Sequence, residues 1–326
     1  MVSKENLARI AEVFKVNSVT PETMKNKDYI WNVYLEFCVL YDENPTPASG
    51  ELLVRYSTFL IIQRNCSVPT VMNHLSVIRR YHKMFLDVDI PSPSQYLPLS
   101  ATLKGGAKYL GRSVQQKFPV TPNILAALTL ILPPESPYRT AYNLFFFGLP
   151  RVGNILPKTL NRFSKVKHLT WKKVLVVDDG VIISLKVTKT IQNFERELRI
   201  PISSSPNRPE FCVRTGLQKM LELPQYPSGP DSPVFNVFRN GQWQPMTKKD
   251  FEKFLKSQLR VLGIDAKKIT PSSFRKGGLS HMLLKTGNME LLRLQGDWAS
   301  ECYKRYIVIP AEMRFEVTRI AVLSMP

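Results

Sequence analysis

Residues 173–202 read KVLVVDDGVIISLKVTKTIQNFERELRIPI. Residues 173–177 and 181–187 are runs of aliphatic and β-branched residues. Asp178-Asp179-Gly180 between them is a turn signal, so the stretch predicts a strand, a turn and a second strand. Residues 197–202 alternate apolar and polar and predict a third strand. Outward in both directions the apolar spacing changes to that of helices. Residues 122–132 and 138–149 precede the strands as helices, and the pattern beyond Pro209 is helical again, with loops expected at 224–233 and 240–245. Helices, a small antiparallel sheet and more helices define an α+β, mostly helical class.

The first third of the chain predicts helices only. Residues 22–41 carry Tyr29, Ile30, Val33, Phe37 and Leu40 at helical spacing, opened by Thr20-Pro21. A second helix is expected over 49–63. A third opens at Ser67 with the stripe Val71, Leu75, Ile78, His82 and Phe85, and a fourth covers 101–110, interrupted at Gly105-Gly106. A short polar segment ending in Pro119 follows. The expected organisation is a helical domain over 1–112, a linker over 113–120, and a second domain over 121–326 with a tail helix at about 311–324.

Of 326 residues, 45 are Lys or Arg and 26 are Asp or Glu, a net charge of +19. Residues 1–115 hold 13 basic and 10 acidic residues, whereas 116–326 hold 32 and 16. Such a field points to a polyanionic partner and away from an enzyme with a neutral surface. No apolar run reaches the roughly 18 residues of a spanning helix, and the charge is not gathered on an amphipathic helix with a broad apolar face. A nucleic acid is therefore expected before a membrane. The N-terminal MVSKENLARIAEVF has no uninterrupted apolar stretch and does not read as a signal peptide. Cys38, Cys66, Cys212 and Cys302 are scattered, which disfavours a zinc site and a disulfide scaffold and suggests buried, reduced thiols inside the cell. His74, His82 and His168 show no ligand spacing and read as structural, although His168 in KVKHLTWKK could touch a phosphate.

Four short motifs occur in the second part: FFFGLPRVGNIL at 145–156, KVTKTIQ at 186–192, TPSSFRKGGLSHML at 270–283 and LQGDWASECYKRYI at 294–307. Arg151 follows an apolar helix and a Gly-Leu-Pro break. Lys189 ends the second strand. Arg275 falls in the first turn of an expected helix, where a cation is electrostatically disfavoured unless it serves an anion. Breaking a phosphodiester needs a nucleophile, cations on the nonbridging oxygens and a proton for the leaving oxygen. Guanidinium forks suit the phosphate, and an indole N–H such as that of Trp298 can also donate to it.

In order and spacing, these motifs resemble the tyrosine recombinase (phage integrase) family, and most closely its Crypton and DIRS-type branch from eukaryotic transposons. The resemblance implies a helical core-binding (SAM-like) domain followed by a catalytic domain. It implies Tyr306 as the nucleophile, forming a 3′-phosphotyrosyl link and a free 5′-hydroxyl. Arg151 and Arg275 would hold the phosphate, Lys189 would protonate the departing 5′-oxygen, and Trp298 would fill the family's His/Trp position. Tyr303 competes with Tyr306, but the Arg-Tyr-Ile context favours Tyr306. The family's usual His-x-x-Arg is here Ser272-Ser273-Phe274-Arg275. Ser272 cannot exchange a proton near neutral pH, which leaves open a weak or inactive, DNA-binding derivative. The energy stays in the covalent link, so neither metal nor other cofactor is implied.

Partners implied are double-stranded DNA and further copies of the chain, a dimer on one site and a tetramer in synapsis. The tail helix would pack either on its own domain or on a neighbour. Candidate DNA contacts are Arg79, Arg80 and Lys83 on the third helix, Lys104, Lys108 and Arg112 beyond it, and Lys276. An intracellular protein is expected, nuclear if the source is eukaryotic.

Overall fold

A computed structural model describes residues 3–111, 117–192, 195–298, 300–308, 319 and 322. Arg112 and, apart from Arg319 and Val322, the expected tail helix at 311–324 lie outside the described residues. The chain divides into two compact units, Met1–Val114 and Gln115–Pro326.

The first unit is helical: α1 (Lys4–Asn17), α2 (Pro21–Leu40), α3 (Gly50–Ile62), α4 (Val68–Tyr81) and α5 (Leu97–Leu110). Thr20 and Ser49 cap α2 and α3, accepting from the backbone N–H of Thr23 and Leu52 at 3.3 and 3.1 Å, as small hydroxyl residues do at helix starts. The buried stripe of α2 is Ile30, Val33, Tyr34, Phe37 and Cys38. Tyr29 and Leu40, expected on that face, are 60% and 67% exposed. The i, i+3, i+4, i+7, i+8 set closes on 30, 33, 34, 37 and 38, which leaves 29 and 40 off its edges. Helix α4 buries Val71, Leu75 and Ile78 and continues into a π-helical turn over His82–Leu86. The wider turn shifts the register and turns Phe85 outward. Helix α5 starts earlier than expected and runs through Gly105-Gly106. A Cβ at Gly106 would lie 2.4 Å from Ile61 Cδ1, so the glycine permits the close α3–α5 approach.

The second unit holds α6 (Pro122–Leu130), α7 (Pro137–Phe147), α8 (Val152–Ile155), β1 (Val174–Val177), β2 (Gly180–Leu185), β3 (Leu198–Ser203), α9 (Val213–Leu221), β4 (Asn236–Arg239), β5 (Gln242–Pro245), α10 (Lys248–Val261), α11 (Pro271–Thr286) and α12 (Met289–Gln295). The three strands expected from 173–202 form one antiparallel sheet in the order β1-β2-β3. The pairs Val181–Ile202, Ile183–Ile200 and Leu185–Leu198 place six buried aliphatics on its inner face. The loop expected at 240–245 is instead half of a hairpin, with Val237 opposite Gln244. Asn240 and Gly241 have φ of 49° and 76°, the paired left-handed residues of a tight hairpin turn. The strands are four residues each and half polar, at Asn236, Arg239, Gln242 and Gln244, too short and mixed to stand out as a hydrophobic pattern.

Helix α7 is buried nearly all round, from Thr140 to Phe146, as expected of a helix at the centre of a core. Tyr142 stacks on Phe274 of α11 at 5.1 Å and meets Phe251 of α10 edge-on at 5.5 Å. Truncating such a ring costs about 3–5 kcal/mol. Helix α11 comes closer still through Gly277 and Gly278. A Cβ at either would lie 1.7 Å from the Val120 carbonyl oxygen or 1.9 Å from that of Phe146. Gly277 therefore lets α11 rest on the backbone before α6 and Gly278 on the backbone at the end of α7, and these contacts set the position of Arg275.

Candidate active site

Thr270 begins α11, with Pro271 at the first helical position, and Ser273 Oγ accepts from the Thr270 N–H at 3.0 Å. Arg275 falls in the second turn, not the first. It is 4% exposed. Its Nη1 donates to the Leu149 carbonyl and its Nη2 to the Gly296 carbonyl. The guanidinium lies 3.9 Å from the Trp298 ring centroid and 5.6 Å from that of Tyr306, within cation–π range. Its buried Nε has no hydrogen-bond partner among the described residues. Burial, and then the neighbouring Arg151, pull its pKa down to about 10, so it remains charged at neutral pH.

The end of α7 turns sharply. Leu149 has φ of 53°, a region that costs a branched residue roughly 1–3 kcal/mol and that concentrates at functional sites. The turn aims its carbonyl at Arg275. Pro150 follows, and Arg151 sits at the N-cap of α8. Its Nη1 and Nη2 donate to Asp297 Oδ2 and the Asp297 carbonyl, both at 3.3 Å.

Asp297 was not singled out from the sequence. Its side chain is 3% exposed. It also accepts from Thr188 Oγ1 at 3.1 Å, from Thr190 Oγ1, and from Arg196 Nη2 in an ion pair. Burial alone would raise its pKa; Arg196 and the two threonines, by hydrogen bonding and charge, hold it below the ordinary carboxylate value. The available signal was one acid between Gly296 and Trp298 in the strongly basic half of the chain. Lys189 lies between the two threonines. It is exposed in the loop after β2, its carbonyl accepting from Gln192 Nε2 at 3.0 Å, and it does not line the cleft described next.

A cleft of about 460 Å³ is lined by Arg151, Ser272, Arg275 and Tyr306, together with Lys117 and Lys248, which sequence reasoning did not select. Tyr306 ends a 3₁₀ turn, Glu301–Tyr306, and its ring is tilted against Trp298 at 5.6 Å. Tyr303 is 8% exposed and packs with Trp298, Leu149, Leu279 and Leu292. Of the two tyrosines, only Tyr306 reaches the cleft. Ser272 is exposed at the rim, with its hydroxyl 2.9 Å from that of Thr270. Lys117 Nζ donates to the Lys267 carbonyl at 2.9 Å, and Lys276 Nζ to the Lys117 carbonyl at 3.2 Å. Four of the six expected reaction residues thus line one cationic cleft, Trp298 supports Arg275 from beside it, and Lys189 stands outside its lining. A phenol beside two guanidinium groups suits a phosphate diester.

In the first unit, Arg79, Arg80 and Lys83 are exposed along one groove of about 420 Å³. Lys83 pairs with Asp87 and Asp89 at 3.2 and 3.0 Å. Arg80 donates to Ser18 Oγ at 3.4 Å. Lys104 and Lys108 are exposed on α5. His74 and His82 are buried, bonded to Tyr56 OH at 2.8 Å and to the Ala48 N–H at 3.1 Å. His168 is buried too, accepting from Ser164 N–H at 2.9 Å, so it cannot meet a phosphate. Among the cysteines, Cys302 is exposed rather than buried. No group of three or more potential metal ligands, and no helix long and apolar enough to cross a membrane, occurs among the described residues.

No protein-family model and no curated protein matches the sequence. Solved structures do match. The Tn1549 transposon integrase in complex with circular intermediate DNA aligns at 16% identity and a TM-score of 0.58, over 94% of this chain and 97% of that one. A lambda integrase dimer bound to a COC′ core site aligns at 10% identity and 0.58, over 94% and 95%. The XerH site-specific recombinase bound to a palindromic difH substrate aligns at 12% and 0.56, over 89% and 76%. The architecture of this chain is that of the tyrosine recombinases and integrases, a mostly helical fold with a small antiparallel sheet in its second unit.

Proposed function

We propose that this protein is a site-specific DNA recombinase that cleaves and rejoins strands through a covalent 3′-phosphotyrosine at Tyr306. The observation that carries the reading is the cleft in which Tyr306 opens beside Arg151 and the buried Arg275. The Tyr306 oxygen attacks phosphorus and the bond to the 5′-oxygen breaks. The phenolic proton leaves to solvent, and the Lys189 ammonium supplies a proton to the departing oxygen. Arg151 and Arg275 neutralise the charge that builds on the nonbridging oxygens. Rejoining is the reverse, with a 5′-hydroxyl attacking the phosphotyrosine, so the reaction calls for no metal or nucleotide.

The motif order supports a transposase of the Crypton or DIRS type, acting inside the cell and, if the source is eukaryotic, in the nucleus. The lambda integrase of the comparison is a dimer on a core site, and XerH is held on a palindromic substrate in a post-cleavage complex. The dimer and the two-fold site support dimeric binding by this chain; the tetramer and the Holliday junction during exchange follow from the motif resemblance. Arg79, Arg80, Lys83, Lys104, Lys108 and Lys276 would hold the duplex, together with Arg112.

Incubation with nicked suicide duplexes tests the reading. The expected product is a covalent protein–DNA adduct that disappears in Tyr306→Phe. An adduct that survives this substitution would reject Tyr306 as nucleophile. A second reading, a DNA-binding derivative with cleavage lost, is favoured by one feature: no histidine lines the cleft, and Ser272 stands at its rim. DNA binding with no adduct on any duplex would select it.

A further inference from the structure

The most connected side chain of the site is one that the proposed chemistry leaves without a task. The Asp297 carboxylate joins four groups from three parts of the chain: Arg151 after α7, Thr188 and Thr190 after β2, and Arg196 before β3. It is nearly inaccessible to solvent, and its backbone sits in the left-handed region at φ 54°, where a non-glycine residue is uncommon. Trp298 follows directly and bears the Arg275 guanidinium on its ring. One carboxylate therefore ties Arg151 to the loop that carries Lys189.

The geometry of that loop makes the tie specific. Thr188 and Thr190 flank Lys189 on both sides and both donate to Asp297 Oδ2. Thr188 Oγ1 also accepts from the N–H groups of Thr190 and Ile191, each at 3.1 Å, and the Thr188 N–H donates to the Ile191 carbonyl at 2.9 Å. The backbone around Lys189 is thus folded into a tight turn whose outer anchor is the carboxylate. Lys189 itself is exposed and free to reach a bound strand. A long flexible ammonium side chain gains precision only from the backbone that carries it.

We propose that Asp297 is a positioning residue that docks the Lys189 loop against Arg151, so that proton delivery and phosphate binding are held in one frame. The inference rests on the recombinase reading for its chemistry, but the docking stands apart from it. Replacing the carboxylate by an amide keeps the shape and removes the charge. The amide keeps one acceptor oxygen and turns the other into a donor, so the two threonines and the two arginines can no longer all be satisfied, while Arg275 keeps its carbonyl partners at Leu149 and Gly296.

Two measurements on the full chain test this. In the first, hydrogen exchange is compared between the parent and Asp297→Asn. Exchange over 186–192 should quicken about tenfold or more, while the paired amides of β2 and β3 keep their rates. Unchanged exchange over 186–192 would overturn the docking whether or not the protein cleaves DNA. The second uses suicide duplexes whose scissile 5′-oxygen is either ordinary or replaced by sulfur, a leaving atom that needs no proton. Asp297→Asn should slow adduct formation about 100-fold on the oxygen substrate, the size of a general-acid contribution, and about tenfold on the sulfur substrate, the part that comes from releasing Arg151. Thr190→Val, which removes one arm of the dock, should show a smaller loss with the same rescue. Equal losses on both substrates would overturn the positioning role. A parent protein that forms no adduct on either substrate would instead reject the recombinase reading, and the exchange experiment would still decide the docking.

Discussion

The two units of this protein carry their basic residues in opposite ways. In the first, Arg79, Arg80, Lys104 and Lys108 stand in solvent on helix surfaces, and Lys83 is balanced by Asp87 and Asp89. In the second, Arg275 is taken out of water, held by two backbone carbonyls and an indole face, with its Nε left without a partner among the described residues. Desolvating a guanidinium costs several kcal/mol unless its geometry is well satisfied. A surface cation is a screened charge of small individual weight. The contrast separates two ways of placing a net +19: charge spread over a surface, and charge fixed in place inside a cleft; under the proposed function the first would hold a polyanion and the second would act on one phosphate.

Predictions can break this contrast. Arg275→Gln should lower adduct formation about 1000-fold; a loss no larger than that from a surface arginine would dissolve the distinction. Ser272→His should raise the rate by about 10- to 100-fold if a proton-exchanging group at the rim is what the cleft lacks, and an unchanged rate would show that the position is indifferent. Gly278→Ala places a methyl against the Phe146 carbonyl oxygen. It should cost about 3 kcal/mol in urea unfolding, because backbone, unlike a side chain, cannot move aside. On the surface side of the contrast, the double substitution Arg79→Ala with Arg80→Ala should weaken DNA binding only several-fold and reduce the salt slope by about two. An unchanged slope would remove this face from the interface.

The smallest effect concerns stability. Burial, with Lys167 and Lys173 nearby, pulls the His168 pKa down from 6.5 to about 4. Between those values the unfolded chain binds the extra proton and the folded chain does not. Stability from this group is therefore complete above pH 6.5 and declines as the pH falls toward 4. His168→Gln should flatten that part of the stability profile, measured by thermal unfolding across the range.

Much of the fold was legible because helices and strands announce themselves by local spacing. The three strands of 173–202 and the helices around them came from runs and turns within reach of a dozen residues. The β4–β5 hairpin escaped because its strands are only four residues long and half polar, although Asn240-Gly241 is a strong turn signal. Phe85 was placed on a buried face because a helical pattern does not foresee a π turn. In the site, Arg151, Arg275 and Tyr306 were recognisable from motif order, and the cleft gathers all three. Trp298 was recognisable as well, and it serves as the floor under Arg275. Lys117 and Lys248 were not recognisable, since nothing local distinguishes a cleft lysine from any other.

Sequence alone determined most of the element order, the uneven charge and the short list of candidate residues, because each is a property of neighbours along the chain. Tertiary structure alone decided which tyrosine faces the cleft, which arginine is buried, and that Asp297 meets Arg151 across 146 residues. It also decided that the same carboxylate meets the threonines around Lys189 from 109 and 107 residues away. A buried ion pair is chosen by what packing brings together after desolvation, and no spacing along the chain encodes that distance.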